Sequence, residues 1–266
     1  GRNGAGKTTL MKIITDLTHK TTGSIFLLSN RAYTKNLERV GAIIEYPVAY
    51  GNFSAYQNLK ILCQQKGIQD DSAIDEALAF VNLTNTGKKK FKRFSLGMKQ
   101  RLGLAMALLN KPDFLILDEP INGLDPVAII EFREILERIN REKNTTILIS
   151  SHILSELYQV SNRFGFIHQG KMIEEITKTD LDGKCSSTLL IKTDQMNKLS
   201  ILLEQLKLDF KIINDKQAQI KDSNNISAAD LNQRFLEAGV RIDEIRQNDE
   251  NLEDYYTNLL LKVGDN

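Results

Sequence analysis

Cysteine is scarce in this chain. Its two cysteines, Cys63 and Cys185, lie far apart and carry no metal-ligand spacing around them. That excludes a disulfide framework and a cysteine-built metal centre, and free thiols in a reducing cytosol are the expectation. No apolar run approaches the ~18 residues a membrane span needs; the longest is residues 104–109. Secretory signals and internal repeats are also missing. The net charge is only +1, which argues against a strongly electrostatic nucleic-acid binder. The first residue is Gly1 rather than Met and already lies inside a motif, so the natural start is expected upstream.

What is present suits a folded protein. The 266 residues are 41% hydrophobic and 26% charged, enough for one large domain or a large one with a small one. Helices are expected over residues 7–17, 55–66, 72–83, 96–109, 126–139 and 153–160, and strands over 24–28, 40–44, 114–118 and 145–150. The run 40–44 is continuously apolar, which suggests burial on both faces. Asp71 or Ser72 would cap the helix at 72. Asp125-Pro126 reads as an N-cap followed by Pro at the first helical position. Residues 164–168 and 171–176 flank Gln169-Gly170 as a hairpin. Short buried strands alternating with helices predict an α/β fold with a mainly parallel sheet.

A Lys/Asp/Gly stretch at 178–184 reads as a boundary. Beyond it, strands are expected at 188–192, 210–213, 218–221 and 240–245. Helices are expected at 195–206 and at 227–237, the latter opened by the pair Ser227 and Asp230. That order is β-α-β-β-α-β, a split-βαβ arrangement, and a final helix covers 252–261.

Gly1-Arg2-Asn3-Gly4-Ala5-Gly6-Lys7-Thr8-Thr9 fits the pattern G-x-x-x-x-G-K-S/T in full. Glycines let the backbone curl so that N–H groups face phosphate oxygens, and the helix starting at Lys7 adds its positive end. Lys7 would reach the β- and γ-phosphates and the Thr8 hydroxyl would bind Mg²⁺. A chance glycine-rich turn is the bland alternative, and the fixed spacing speaks against it.

Downstream, Phe114-Leu115-Ile116-Leu117-Asp118-Glu119 is four apolar residues ending in two carboxylates. A buried strand would deliver Asp118 to the carboxyl edge of the sheet, where nucleotide sites form. Asp118 would hold Mg²⁺ through water, and Glu119, facing the other way, would polarise the attacking water. His152 follows the next strand. A lone histidine is more often structural, but at this edge a γ-phosphate contact is geometrically reasonable.

These motifs resemble the ABC ATPase family. Phe94-Ser95-Leu96-Gly97-Met98-Lys99-Gln100-Arg101 looks like its signature, although Leu96 stands where Gly is usual and Met98 where Gln is usual. Asn122-Gly123-Leu124-Asp125 is similar to the D-loop and Ser150-Ser151-His152 to the switch-histidine loop. The lid glutamine is replaced by Glu45, in Gly41-Ala42-Ile43-Ile44-Glu45-Tyr46-Pro47. Glu45 would still offer a metal or water ligand, with an extra negative charge. The departures, with Lys88-Lys89-Lys90-Phe91-Lys92-Arg93, resemble the bacitracin- and lantibiotic-resistance exporter branch. The basic run itself reads equally as a solvated loop or as a face toward a partner or the nucleotide.

The resemblance implies a P-loop ABC-type domain with a helical subdomain over residues 1–180, lacking its N-terminal strands and adenine-stacking aromatic. It implies an accessory α+β domain over 185–266. It also implies ATP and Mg²⁺ as cofactors, with Gly1, Asn3, Gly4, Gly6, Lys7, Thr8 and Thr9 around the phosphates. Ser95, Gly97 and Asp125 would act across a head-to-tail dimer, with Glu119 and His152 in catalysis and Thr8, Asp118 and Glu45 at the metal. The partner would be a separate permease at the cytoplasmic face of the membrane, docked near residues 46–56, and the cargo a peptide antibiotic or drug. The rival is a non-transport ABC ATPase of translation or DNA repair. One set of motifs, and the short span between Lys7 and Ser95, weigh against it.

Overall fold

The structure is a computed structural model, and it describes residues 1–27, 36–184, 187–221, 228–249 and 252–264. The chain divides into two compact units. One comprises Gly1–Ser161 with Gly165–Glu175, the other Asn162–Phe164 with Ile176–Asn266.

The first unit opens with the glycine-rich loop and helix α1 (Lys7–Ile14). Strands β1 (Val40–Ile43), β2 (Phe114–Leu117) and β3 (Thr146–Ile149) form a parallel sheet in the order β1-β2-β3, with Gly41 opposite Leu115 and Leu115 opposite Ile147. Leu115, Ile116 and Leu117 are fully buried, so the central strand is covered on both faces. β1 instead alternates, with Gly41 and Ile43 buried but Ala42 exposed. The expectation of two-sided burial there is corrected: its continuous apolar run follows a one-sided period of two.

Helices α2 (Ala55–Lys66), α3 (Ser72–Phe80), α4 (Leu96–Leu108) and α5 (Pro126–Lys143) supply most of the core around Leu59, Ile74, Leu102, Phe132 and Ile139. α2 begins with a reciprocal capping box between Ser54 and Gln57. α3 is opened neither by Asp71 nor by Ser72 acting as a cap; the Asp70 carboxylate accepts the Ser72 N–H at 2.9 Å instead. α5 begins as expected, with the Asp125 carboxylate accepting the Ala128 N–H at 2.9 Å. α4 runs very close to its neighbours. A Cβ on Gly41 would lie 2.6 Å from the Ala107 carbonyl, and one on Gly103 would lie 2.7 Å from Pro47. Glycine at both positions lets this helix wedge between β1 and the segment after it.

Short α6 (Leu154–Val160) is followed by hairpin strands β4 (Arg163–His168) and β5 (Lys171–Thr177). Their turn places Gln169 and Gly170 at positive φ, as a two-residue hairpin requires. One expectation is corrected nearby, and the stretch expected as a boundary takes a regular form. Residues 24–26 form no strand, and Leu27 makes only an isolated bridge; Leu28 lies outside the described residues. The stretch 178–184 is helix α7 (Lys178–Lys184), because Leu181 is buried and anchors it.

In the second unit, β6 (Ser187–Lys192), α8 (Met196–Gln205), β7 (Phe210–Asn214), β8 (Gln217–Lys221), α9 (Ala228–Glu237) and β9 (Glu244–Asp249) form an antiparallel sheet in the order β7-β8-β6-β9. That is the split-βαβ order, and Ile191, Leu203 and Phe235 are central to its core. The last strand begins later than residue 240. Gly239 takes a positive φ and the Val240 N–H returns to the Phe235 carbonyl at 2.8 Å, so Val240 ends a helix turn and packs inward. Ser227 and Cys185 lie outside the described residues. Helix α10 (Leu252–Gly264) closes the chain.

Candidate nucleotide site

The site is built where β2 and β3 end. The ladder continues one residue past each strand, from the Asp118 N–H to the Ile43 carbonyl and from the Ser150 N–H to the Leu117 carbonyl, both 2.9 Å. Asp118 is thereby buried at the carboxyl edge of the sheet. One of its oxygens accepts from the Thr8 hydroxyl at 2.7 Å and the other from the Ser150 hydroxyl at 2.6 Å. These two bonds tie the first turn of α1 to the end of β3 through one carboxylate, and both partners suit a buried charged acceptor.

Glu119 follows at φ 48, in the left-handed region that non-glycine residues seldom occupy. This reversal turns its side chain away from that of Asp118. Its N–H donates to the Ser150 hydroxyl at 2.9 Å. Glu119 Oε2 meets His152 Nδ1 at 2.8 Å and accepts the His152 backbone N–H at 3.3 Å. Glu119 Oε1 lies 3.1 Å from Lys7 Nζ, close enough for an ion pair but without hydrogen-bond alignment. Burial pushes the Glu119 carboxyl up. The His152 and Lys7 contacts outweigh it and hold the group below the ordinary carboxylate range.

Lys7 Nζ also donates to the Gly1 carbonyl at 2.8 Å and the Arg2 carbonyl at 3.2 Å, folding back over its own loop. Gly4 and Gly6 take positive φ of 77 and 102, which curls the loop. The hairpin turn braces it, with the Gly170 N–H on the Ala5 carbonyl at 2.9 Å. Asn3, Gly4 and Thr9 are exposed. The donor set is hard oxygen, a threonine hydroxyl and an aspartate, and that chemistry fits Mg²⁺. Among the described residues no group of three or more His, Cys, Asp or Glu could hold a metal by itself. Ligands from a phosphate chain are therefore part of any fit.

The remaining expected residues are elsewhere. Glu45, also left-handed at φ 64, pairs with Lys12 at 2.6 Å. Lys12 is one turn along α1 from Thr8, about 6 Å of rise, so Glu45 is held beside the Thr8–Asp118 contact rather than in it. Ser95 caps α4, its hydroxyl accepting the Met98 N–H at 3.3 Å, and is exposed. Gly97 is buried, because a Cβ there would lie 3.1 Å from that of Ala128. Asp125 caps α5 on the same side. Ser95, Gly97 and Asp125 thus form a second group where α4 meets α5.

Two residues escaped the sequence reading as site members. Ser150 appeared only within its loop, although its hydroxyl bonds both Asp118 and Glu119. Lys12 carried no signal, since its partner is distant in sequence.

Comparisons with known proteins identify the family of the chain. The ABC transporter family matches residues 1–122. The chain is 40% identical over 265 residues to the bacitracin transport ATP-binding protein BcrA of Bacillus licheniformis, covering 98% of this chain and 86% of that one. It is 50% identical over 175 residues to the lantibiotic transport ATP-binding protein SrtF of Streptococcus pyogenes, covering 66% and 76%. A solved ATP-binding subunit of an ABC transporter aligns with TM-score 0.59 and 30% identity, over 69% of this chain and 79% of the other. The chain belongs to the ABC transporter ATP-binding proteins, and it is an ATPase that powers transport. Nothing in these relatives favours translation or DNA repair. ABC ATP-binding subunits dimerise and work with membrane permeases. No helix among the described residues is long and apolar enough to cross a membrane.

Proposed function

We propose that this ATPase drives export of a peptide antibiotic, with two copies closing on Mg·ATP and a separate permease at the cytoplasmic face of the membrane. The single observation that carries the site reading is the Asp118–Glu119 pair, its two carboxylates turned apart and tied to Thr8, Lys7, Ser150 and His152. The export reading is supported by the bacitracin and lantibiotic relatives.

Lys7 is the first residue to move. Its ammonium rests on two loop carbonyls and on Glu119, all replaceable by β- and γ-phosphate oxygens. Leaving Glu119 removes one of the contacts that depress its pKa, so arrival of substrate makes this carboxylate a better base. Glu119 then holds the attacking water, and His152 orients Glu119 and contacts the γ-phosphate. Thr8 and Asp118 would hold Mg²⁺, which when bound neutralises charge developing on the phosphates. Glu45 would be free to help hold the ion only on releasing Lys12.

Ser95 and the Gly97 backbone lie on the other group, at the start of α4, where a helix N-terminus favours an anion. They act on the nucleotide of a second copy, and Asp125 fixes the α5 end of the same corner. Residues 1–180 then form the ATP-binding domain and 185–266 an accessory one.

The permease docks on residues 46–56, where Tyr46 is 72% exposed, Val48 85% and Tyr50 57%. Cysteine at 46 or 50 should cross-link to a membrane subunit in a reconstituted complex. Cross-links only from other surfaces would remove this part of the reading.

A further inference from the structure

One feature of the first unit is not used by nucleotide chemistry. Residues 77–112 contain no Asp or Glu, yet five of the six residues 88–93 are cationic. Lys88, Lys90, Lys92 and Arg93 are exposed, and among the described residues none of them makes an ion pair. The nearby Arg101 is matched by Glu131 at 3.2 Å, so neutralisation stops short of the run.

A solvated loop would be mobile, and this one is pinned. Phe91 and Phe94 are buried, with ring centroids 5.9 Å apart. The Phe91 N–H donates to the Phe53 carbonyl at 2.9 Å and the Lys92 N–H to the Gly51 carbonyl at 3.0 Å. Lys89 and Lys99 lie over the Phe94 and Phe91 rings, at 5.9 and 5.6 Å. Gathering so many like charges on one anchored turn is unfavourable in water and favourable against a plane of negative charge. The two backbone bonds set that turn directly beside exposed Tyr50 and Phe53. The lysines therefore flank the surface proposed for the permease, where lipid surrounding a membrane subunit would be met.

We propose that the 88–93 turn docks on anionic phospholipid headgroups of the bilayer around the permease. The inference rests on the proposed permease contact at residues 46–56 only for its orientation. Vesicle binding needs no permease, so the two fail separately.

The test is co-flotation of the full chain with vesicles of phosphatidylglycerol and phosphatidylcholine, against phosphatidylcholine alone, with Lys88→Gln/Lys90→Gln/Lys92→Gln as the variant. These side chains are exposed and outside the nucleotide site, so basal ATPase activity should stay unchanged. The expected result is partitioning onto the anionic vesicles that falls with salt, and falls roughly hundredfold in the triple variant. Equal binding to both vesicles, or wild-type partitioning by the variant, overturns the proposal. So does binding that appears only when a permease is reconstituted, which would assign the cations to an acidic protein segment. Retained cross-linking at 46 or 50 with no vesicle binding sinks this inference alone.

Discussion

Asp118 and Ser95 each stand at the end of a regular element, yet their surroundings are opposite. Asp118 is buried and has both oxygens engaged, by Thr8 from α1 and by Ser150 from the end of β3. Ser95 is exposed, and its hydroxyl only caps its own helix. One group is finished within the chain; the other is stiffly built but has nothing of its own to act on. Gly97 sharpens the contrast, since its tight approach to Ala128 fixes the corner between α4 and α5. A site preorganised at one end and presented at the other fits a reaction assembled between two copies.

The strongest way to break this comparison is to disable the finished half. Glu119→Gln should lower kcat by about 10²–10⁴-fold while ATP affinity stays close to wild type. Hydrolysis at the normal rate would remove Glu119 from the base role. A smaller effect is expected from Ser150→Ala, which leaves an Asp118 oxygen and the Glu119 N–H without their shared partner. A loss of about 1–3 kcal/mol is expected, read as a fall in Tm, and an unchanged Tm would show the hydroxyl is dispensable.

Acid titration gives the next test. The folded-state pKa of Glu119 is depressed, so its ionisation stabilises the fold above the unfolded value and that contribution is lost as pH falls. The acid limb of kcat/KM should therefore lie below the ordinary carboxylate value, and His152→Ala should move it upward. A limb unmoved by that substitution would deny the contact its electrostatic role. The smallest effect belongs to the Lys12–Glu45 pair, both members of which are partly exposed. An ion pair of this kind is worth about 0.2–1 kcal/mol. Lys12→Met should change KM for Mg·ATP by a fewfold at most, and not at all in a Glu45→Gln background. Equal effects in both backgrounds would show that the two side chains act independently.

Much of this was legible in the sequence for local reasons. The glycine-rich loop, the apolar strand ending in Asp118-Glu119 and the Asp125-Pro126 start are short-range patterns with direct geometric meaning. What escaped depends on contacts between distant segments. Ser150 gains its importance from Asp118 and Glu119, and Lys12 from Glu45. Helix Lys178–Lys184 forms despite its Gly183 because Leu181 finds a buried seat. Val240 and Ile242 suggested an early strand, but their apolar character serves packing on the core before pairing begins at Glu244. Ala42 is exposed because strand position in a sheet, which no single segment reveals, decides which faces are covered.

The most direct measurement is the mass of the Glu119→Gln chain by light scattering, with and without saturating Mg·ATP. The account predicts a monomer alone and a stable dimer with nucleotide, lost again on Ser95→Arg. A chain that binds Mg·ATP yet stays monomeric at every concentration would contradict it.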